Sequence, residues 1–462
     1  MLNSRRFQLA EIKDNQPWAI AVAEKIIATY PGTEVYTLAS GISPSGVVHF
    51  GNFRDVMTNH LVREALQAKG KKVRFIFSWD NFDRLRKLPA GVPESFSEHL
   101  GKPLNKVPDP FGSLSSYAER FQQPFMEAMK RLEIEIEYKD QTELYERGVY
   151  DEKIKLALLH RKKIADILLS FMSEKGITAK GVEKNSYREN YYPISIYSQF
   201  TGKDSTKILS YDGDMKVTYL CLESGRTETV DLREKHIAKL NWKIDWPMRW
   251  AYESVQFEPG GSDHAAPGGS YEVSSVIAKE IFQIEPPIFL EYLFVGIKGL
   301  GSKMSGSKGN AVSPLDLLDI YEPKLLRWLY GRKDPNQSSE LAFDSEIYRQ
   351  YDEYDREQNN QRIIPFRQLV GLGQIVQWQA EKILAIVQEL NLDYDQQSIL
   401  ERLPLAKNWL MKYNRSASIE LRTEKNQTYW EDLPVARRLL DKRLLAELKE
   451  KEKLNISELD FI

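Results

Sequence analysis

Apolar and polar positions near the N-terminal end of the chain follow the periods of a strand, a helix and a second strand. Residues 35–39 are an apolar run with strand chemistry, residues 52–67 carry a helical period, and residues 73–77 form a second apolar run. A glycine-bearing turn separates the first strand from the helix. This order predicts a strand–helix–strand unit of a parallel sheet, which binds its ligands at the carboxyl ends of the strands.

Beyond this unit the pattern changes character several times. Residues 100–111 are rich in Pro and Gly and predict a long loop, while residues 117–133 and 151–175 have a helical period. Residues 187–232 carry short strand signals separated by turns such as T-G-K-D and Y-D-G-D. After about residue 323 the strand signals fade and amphipathic helices continue to the end of the chain.

The fold class that follows is α/β. A Rossmann-like parallel-sheet domain is expected over residues 1–325, with a mainly helical insertion at about 90–185 and a β-ribbon insertion at about 187–232. An all-α domain is expected over residues 326–462.

Composition fits a large enzyme of the cytoplasm. The chain has 462 residues, a formal net charge of −2 and a pI of about 6.4, so no global basic field marks it as a nucleic-acid coat protein, and an RNA partner would need local basic patches. No apolar run reaches the roughly 20 residues that a membrane-spanning helix needs, and no signal peptide is expected. Cys221 is the single cysteine, which excludes an internal disulfide and favours a reducing compartment.

The turn before the predicted helix carries the first candidate chemistry, S-P-S-G-V-V-H-F-G-N from Ser43 to Asn52. A helix N-terminus offers N–H groups to phosphate oxygens, and Gly46 and Gly51 allow the backbone to approach a nucleotide closely. His49 can donate a hydrogen bond where charge develops on a phosphate. The alternative is a Gly/Ser turn of an ordinary strand–helix unit.

The second candidate is G-S-K-M-S-G-S-K-G-N from Gly301 to Asn310. Its glycines and serines predict a loop that can close Lys303 and Lys308 onto a triphosphate and stabilise the departing pyrophosphate. The alternative is a solvated Gly/Ser connector.

The two motifs, in this order, resemble the ATP-binding signature of class I aminoacyl-tRNA synthetases. Four further segments narrow the resemblance to the class I lysyl-tRNA synthetases: D-N-F-D-R-L-R-K-L-P at 80–89, G-K-P-L-N-K-V-P-D-P-F-G at 101–112, W-K-I-D-W-P-M-R-W at 242–250 and G-S-D-H at 261–264. The usual K-M-S-K-S form has its second lysine where this chain has Gly306, so Lys308 is expected to take that role.

The resemblance implies a lysine–tRNA ligase that forms lysyl-adenylate from lysine and ATP and then transfers the lysyl group to the terminal adenosine of tRNA(Lys). Adenylate formation is expected to depend on bound tRNA. Mg²⁺ is expected to arrive with ATP, the 326–462 domain to bind the anticodon, and the chain to be a monomer.

The same resemblance assigns roles to individual residues. The expected catalytic residues are His49, Asn52, Lys303 and Lys308. The expected ATP-binding residues are Ser45, Gly46, His49, Gly51, Asn52, Lys303, Met304, Ser305, Ser307 and Lys308. Gly41 and Ser43 are expected to hold the α-ammonium end of lysine, with Trp242 and His264 along its side chain.

The residues themselves support the lysine pocket less directly. An aliphatic stem that ends in an ammonium group favours an aromatic wall and a carboxylate, which Trp242 and Asp245 could supply, and Asp263 beside His264 completes the predicted set. The alternatives are core packing for Trp246 and Trp250 and a structural role for His264.

Other features stay open. Asp80 and Asp83 follow the second predicted strand and could contact substrate or pair with the neighbouring Arg84, Arg86 and Lys87. The basic run at 437–443 is followed by glutamates at helical spacing, which favours a solvated helix face. A small-molecule nucleotidylyltransferase and a tRNA-binding protein with decayed catalysis are the alternative functions.

The predicted ribbon is expected to lack zinc. Ser195 with Ser198, and Cys221 with Ser224, have the spacing of zinc-ribbon knuckles, but hydroxyls are poor zinc ligands. The alternative is that these serines are ordinary ribbon residues.

Overall fold

The structure is a computed structural model, which describes residues 5–8, 11–12, 16–172, 183–293, 295–298, 312–359, 362–414, 421–422 and 460–461. The described residues divide into two units. The first takes its residues from 1–294, 304–314 and 333–338, and the second from 295–303, 315–332 and 339–462. The predicted domain boundary at residue 325 and the functional role of each domain stay predictions.

The first unit is built around a five-stranded parallel sheet, whose strands lie side by side in the order 288–292, 255–261, 35–42, 72–79 and 137–140. Its strands are β1 (Val35–Ile42), β2 (Lys72–Trp79), β3 (Glu137–Asp140), β9 (Val255–Gly261) and β10 (Ile288–Tyr292). The central strand β1 is buried over most of its length, as the apolar run predicts. The short edge strand β3 lies inside the region predicted as helical, because its sequence E-Y-K-D has no apolar alternation to indicate a strand.

Helices connect the strands and cover the sheet. Those of the first unit are α1 (Trp18–Thr29), α2 (Phe50–Ala68), α3 (Tyr117–Arg131), α4 (Gln141–Glu146), α5 (Asp151–Leu159), α6 (Arg161–Ser170), α7 (Lys184–Asn190), α8 (Leu232–Lys235), α9 (Trp242–Glu253), α10 (Ser262–Ala265) and α11 (Ser270–Glu280). The predicted helix at 151–175 is interrupted at His160, where the backbone leaves the helical region. The predicted loop at 100–111 contains a single 3₁₀ turn, Leu104–Lys106, and another, Glu94–His99, precedes it.

The predicted ribbon is a three-stranded antiparallel sheet made of β5 (Thr206–Tyr211), β6 (Lys216–Cys221) and β7 (Thr227–Asp231). A separate antiparallel pair, β4 (Ile194–Ile196) with β8 (Ala238–Leu240), brings the chain back toward the main sheet. Tyr219 and Val217 on β6 are fully buried in the core under this ribbon. Strand pairing and apolar packing therefore hold the ribbon together.

One end of the ribbon gathers the residues at the knuckle positions. Burial alone would raise the pKa of the Cys221 thiol, but hydrogen bonds from Ser198, Ser224 and Thr201 outweigh it and lower the pKa to about 6. The Thr201 Oγ1 atom lies 3.8 Å from the Cys221 Sγ atom. The Ser195 hydroxyl donates a hydrogen bond of 3.2 Å to Asn241 Oδ1 instead, so Ser198, Thr201 and Ser224 are the hydroxyls that the structure brings to Cys221. The expected lack of zinc stays a prediction.

The second unit is mainly helical. Its helices are α13 (Pro323–Gly331), α14 (Glu346–Glu357), α15 (Phe366–Ile375), α16 (Ala380–Glu389) and α17 (Gln396–Asn408), followed by a π-helical turn, Trp409–Tyr413; the short helix α12 (Pro314–Leu317) precedes them. A short parallel pair, β11 (Val295–Lys298) with β12 (Ser339–Ala342), is present in addition, and a two-residue antiparallel pair joins β13 (Leu421–Arg422) to β14 (Asp460–Phe461).

A buried arginine holds the helices of the second unit together. Arg402 on α17 pairs with Asp355 at 2.6 Å and with Glu322 at 2.8 Å, and it donates to the carbonyl of Ile364 at 2.9 Å. No helix within the described part of the chain is long and apolar enough to cross a membrane.

Candidate active site at the carboxyl end of the sheet

The candidate site lies where the strand order reverses. From β1 the chain continues outward to β2 and β3 on one side, and β9 and β10 lie on the other side. Open parallel sheets bind their ligands in the crevice at such a switch point, beyond the carboxyl ends of the strands. Two adjoining cavities occupy this position, and both are bordered by Gly41, Ile42, Asn52, Asp80, Trp242 and His264.

The inner cavity, of about 180 Å³, lies among the strand ends and the helix α9. Tryptophans form one of its walls, and three carboxylates border it: Asp55, Asp80 and Glu258. The outer cavity, of about 600 Å³, is formed by the turn between β1 and α2 and by the segment after β2. Among its lining residues are Ser43, Ser45, Gly46 and His49 from the turn, and Arg84, Arg86 and Lys87 from the opposite side.

His49 is the N-cap of α2, and its ring is oriented by the backbone. The Gly51 N–H donates a hydrogen bond of 3.1 Å to His49 Nδ1. Burial lowers the pKa of His49, which favours the neutral ring. In a neutral ring whose Nδ1 accepts, Nε2 carries the proton and can donate to a phosphate oxygen.

Glycine is required at residue 51 for this arrangement. A Cβ atom there would lie 2.8 Å from His49 Cε1 and 2.9 Å from His49 Nδ1. Gly51 is not itself among the lining residues, so its contribution is to leave room for the imidazole.

The turn is anchored on both sides. Tyr117 at the start of α3 donates a hydrogen bond of 2.9 Å from its hydroxyl to the Ser45 carbonyl. The Phe50 N–H donates a hydrogen bond of 2.9 Å to the Val312 carbonyl. Val312 is the first described residue after the segment from Gly301 to Asn310, which carries Lys303 and Lys308 and is called the lysine motif below. The predicted residues Lys303, Met304, Ser305, Ser307 and Lys308 lie outside the described residues, as does the basic run at 437–443.

Three tryptophans form the aromatic wall of the inner cavity. Trp242, Trp246 and Trp250 recur every fourth residue on one face of α9, which is why they stack: the ring centroids are 5.1 Å apart for the first pair and 4.9 Å for the second. Trp246 and Trp250 are almost fully buried and also pack in the core. His264 on α10 lies 5.7 Å from the Trp246 ring and completes the wall.

Two carboxylates that face the inner cavity have raised pKa values, although Arg249, which borders the same cavity, partly lowers that of Glu258. Burial raises the pKa of Asp55 to about 8 and that of Glu258 to about 7. Asp55 accepts hydrogen bonds from the hydroxyls of Ser40 and Tyr292, and Glu258 accepts one of 2.6 Å from Trp250 Nε1. Within the described ranges neither carboxylate forms an ion pair, and Glu258 further raises the pKa of Asp55 by repulsion.

A buried ion cluster lies behind the site. Arg249 Nη1 is 2.7 Å from Asp80 Oδ1, and Arg249 Nη2 is 2.7 Å from Asp245 Oδ2. Lys239 lies 3.0 Å from Asp245 and 3.5 Å from Asp83. The neighbouring Arg84 pairs with Asp204 instead of with Asp80 or Asp83.

The predicted lysine-binding residues therefore fall into two groups. Gly41, Ser43, Trp242 and His264 line one or both cavities. Asp245 is fully buried between Arg249 and Lys239 and borders neither cavity, and Asp263 is an exposed residue 3.8 Å from His264 that also borders neither.

Sequence reasoning missed three side chains of the inner cavity: Asp55, Tyr292 and Glu258. A signal for the first was present, because Asn52, Asp55 and Asn59 recur at helical spacing and so share one face of α2, and both Asn52 and Asp55 border the inner cavity. Tyr292 and Glu258 lie in apolar strands far along the chain. Only the pairing of β9 with β1, and of β10 with β9, brings them to the site.

Comparison with known proteins agrees with this geometry. A family model described as "tRNA synthetases class I (K)" matches residues 16–368. A lysine–tRNA ligase of Streptomyces coelicolor is 43% identical over 377 residues, which cover 75% of this chain and 65% of that protein. Lysine–tRNA ligases of Pyrococcus horikoshii and Thermococcus kodakarensis are each 37% identical, covering 86% and 88% of this chain and 80% and 85% of those proteins. The chain thus spans slightly less than two thirds of the Streptomyces relative.

Proposed function

The chain belongs to the class I lysyl-tRNA synthetase family, and from this premise we propose that it is a lysine–tRNA ligase. It activates L-lysine with ATP to lysyl-adenylate and transfers the lysyl group to the terminal adenosine of tRNA(Lys). The family membership supports the reaction class. The inner cavity supports the choice of amino acid.

The observation that carries the proposal is the pair of carboxylates, Asp55 and Glu258, buried beside a tryptophan wall. Two close carboxylates in a buried cavity repel each other, and a cation between them relieves both the repulsion and the cost of burying charge. An aromatic wall suits an aliphatic stem and attracts an ammonium group. A lysine side chain supplies both the stem and the cation.

In this proposal the ε-ammonium group donates to Asp55, with the Tyr292 hydroxyl beside it. Asp55 is the better candidate than Glu258, since no cation in the described part of the chain lowers the pKa of Asp55, whereas Arg249 lowers that of Glu258. Asp80 is already paired with Arg249. The predicted role of Asp245 as a lysine ligand is less favoured by its burial between two cations.

The outer cavity takes ATP. The phosphates lie against the N-terminus of α2, where the helix dipole favours an anion and His49 Nε2 can donate a hydrogen bond. Arg86 and Lys87 supply positive charge from the opposite side, and Mg²⁺ enters as the counter-ion of the nucleotide. Ser45, Gly46, His49 and Asn52 provide the protein side of this contact.

The chemistry is a displacement at the α-phosphate. The lysine carboxylate oxygen attacks the α-phosphorus, the bond to the bridging oxygen breaks, and pyrophosphate leaves with the electron pair. His49 donates from Nε2 to a phosphate oxygen as charge develops there, and Lys303 and Lys308 neutralise the pyrophosphate. In the second step a hydroxyl of the terminal adenosine attacks the lysyl carbonyl and AMP leaves. Positioning and charge neutralisation suffice, so no protein nucleophile is involved.

An aminoacylation assay with each of the twenty amino acids and total tRNA tests the proposal. Esterification of tRNA by lysine alone is the expected result. Esterification by another amino acid would contradict the lysine assignment. Nucleotidyl transfer to a small molecule without tRNA charging would favour a nucleotidylyltransferase, and binding of tRNA without charging would indicate decayed catalysis.

We further propose that the protein works as a monomer in the cytoplasm. The single cysteine and the moderate net charge support a reducing aqueous compartment. Size-exclusion chromatography with light scattering measures the oligomeric state, and a dimer mass would contradict this part of the proposal.

A further inference from the structure

Asp80 borders the proposed site, but the reaction as proposed above assigns it no contact with lysine or ATP. It follows β2 directly, is almost fully buried, and borders both the inner and the outer cavity. Its N–H donates a hydrogen bond of 2.9 Å to the Ile42 carbonyl, and its own carbonyl lies 3.4 Å from the Ser43 hydroxyl. Asp80 is therefore fixed against the end of β1 at the point where the two cavities meet.

The charges around Asp80 do not balance. Three carboxylates, Asp80, Asp83 and Asp245, share two cations, Lys239 and Arg249, which leaves a formal charge of −1 when all are ionised, and burial raises the pKa of Asp80. Lys239 lies between Asp245 and Asp83, whereas Arg249 bridges Asp245 and Asp80. A further cation beside Asp80 would neutralise the cluster.

The carboxylate of Asp80 has room for that cation. Arg249 Nη1 contacts the Oδ1 atom, and across the described residues Oδ2 accepts no hydrogen bond. Asp83 differs, because it borders only the outer cavity and has Lys239 as its counter-charge. The distinction separates two aspartates that the sequence presents as equivalent.

We infer that Asp80 binds the α-ammonium group of the amino acid substrate, with Arg249 as the residue that positions it. This inference rests on the proposed function. A lysine whose ε-ammonium group reaches Asp55 in the inner cavity must extend its α-carbon toward the outer cavity, where its carboxylate meets ATP. The junction of the cavities, where Asp80 lies beside Gly41, is the place left for the α-ammonium group. Glycine is required at position 41 for β1 to pack beside β2, since a Cβ atom there would lie 2.9 Å from the Ser78 carbonyl oxygen.

Arg249 positions Asp80 by two contacts. Its guanidinium group bridges Asp80 and Asp245, both of which are buried, and it lies 5.5 Å from the Trp242 ring centroid. One side chain thus holds both the carboxylate for the α-ammonium group and the first tryptophan of the lysine wall. A lysine at position 249 keeps the charge but cannot bridge two carboxylates with a planar fork.

The test compares L-lysine with ε-aminocaproate, which is lysine without its α-amino group. Dissociation constants for both compounds are measured by calorimetry or by competition, on the full-length wild-type protein with tRNA and a non-hydrolysable ATP analogue present. For Asp80→Asn we expect lysine binding to weaken roughly 10- to 100-fold, the range for hydrogen bonds to charged groups, with ε-aminocaproate binding changed less than about threefold. Arg249→Lys should show the same selective loss to a smaller degree.

Asp83→Asn is the matched control. It changes the formal charge of the cluster by the same amount as Asp80→Asn but leaves the proposed contact in place, so we expect its selective loss of lysine binding to be clearly smaller than that of Asp80→Asn. Equal weakening of both compounds by Asp80→Asn would overturn the inference, as would a loss that falls on the ATP analogue alone. If the wild-type protein binds no lysine at all, the proposed function fails instead. The two failures are therefore distinguishable.

Discussion

The main-chain N–H of Phe50 donates a hydrogen bond of 2.9 Å to the main-chain carbonyl of Val312. Phe50 begins the helix behind His49, and Val312 is the first described residue after the segment that carries Lys303 and Lys308. This bond fixes Val312 at the N-terminus of the helix that is proposed to receive the phosphates.

The first prediction concerns the two lysines of the lysine motif. If Lys303 and Lys308 neutralise the departing pyrophosphate, Ala at either position should lower the rate of adenylate formation by at least ~10²-fold and leave lysine affinity nearly unchanged. Single-turnover formation of lysyl-adenylate measures the effect. Near-normal turnover of Lys308→Ala would refute its assigned role.

A second substitution sharpens this test. Gly306→Lys restores the usual spacing of the signature, so the double variant Lys308→Ala with Gly306→Lys should recover much of the lost rate. A neutral change at the same place, Gly306→Ala in the Lys308→Ala background, is the control and should recover none.

The second prediction concerns amino acid selection by Asp55. Norleucine has the length of lysine and lacks the ε-ammonium group, so the difference between the two amino acids isolates that contact. In Asp55→Asn the catalytic efficiency with lysine should fall roughly 10- to 100-fold, while the low efficiency with norleucine should stay constant or rise. Steady-state aminoacylation kinetics measure both. If discrimination between lysine and norleucine is unchanged, another group binds the ε-ammonium.

The third prediction is a pH dependence of stability. The pKa of Asp55 in the folded, lysine-free protein is about 8, above the unfolded value of about 4 for an aspartate, so folding favours its protonated form. That contribution is complete at acidic pH and is lost as pH rises toward 8. Glu258, with a pKa of about 7, contributes in the same direction.

Thermal unfolding without ligand, measured between pH 5 and pH 9, checks this sign. The melting temperature of Asp55→Asn should decline less over this range than that of the wild type, and the variant should be the more stable protein at pH 8. Saturating lysine should make the melting temperature of the wild type decline less between pH 5 and pH 9, because an ammonium group stabilises the ionised carboxylates. A steeper decline for the variant than for the wild type would be the opposite of the expected result.

Sequence patterns predicted the parts of this site that are contiguous in the chain. The turn from Ser43 to Asn52 could be placed between a strand and a helix because its apolar flanks have clear periods. The inner cavity could not be predicted in the same way, since Asp55, Glu258 and Tyr292 come from three elements that only the order of the sheet brings together. Asp245 shows the limit from the other side: its type and spacing suit a lysine ligand, but its two buried partners, Arg249 and Lys239, are visible only in three dimensions.

The fourth prediction is that tRNA assembles the active site. Lysine-dependent exchange of pyrophosphate into ATP should be weak for the protein alone and should rise when lysine-accepting tRNA is added, which is a form of induced fit. A tRNA that lacks its terminal adenosine cannot accept the lysyl group, so it separates the effect of tRNA binding from that of lysyl transfer. Full exchange without any tRNA would contradict the prediction.

The fifth prediction concerns the knuckles of the ribbon. Purified protein should contain well under one zinc per chain by elemental analysis, and a chelator should leave folding and aminoacylation unchanged. Zinc prefers thiolate and imidazole ligands, and Ser198, Thr201 and Ser224 offer hydroxyls beside the single thiol of Cys221. Stoichiometric zinc that is lost together with activity would refute this.

The positions of these hydroxyls also predict which cysteine substitutions would create a zinc site in the ribbon. Zn–S bonds of about 2.3 Å in a tetrahedron place two sulfur atoms roughly 3.8 Å apart, and Thr201 Oγ1 already lies 3.8 Å from Cys221 Sγ. The triple variant Ser198→Cys, Thr201→Cys and Ser224→Cys should therefore bind one zinc per chain and unfold at a higher temperature with zinc than with chelator. Moving the first of these cysteines from position 198 to position 195 is the matched control and should abolish tight binding, because the structure gathers Ser198, and not Ser195, beside Cys221. Tight binding by the control variant as well would show that the ribbon does not hold these positions in a fixed tetrahedral arrangement.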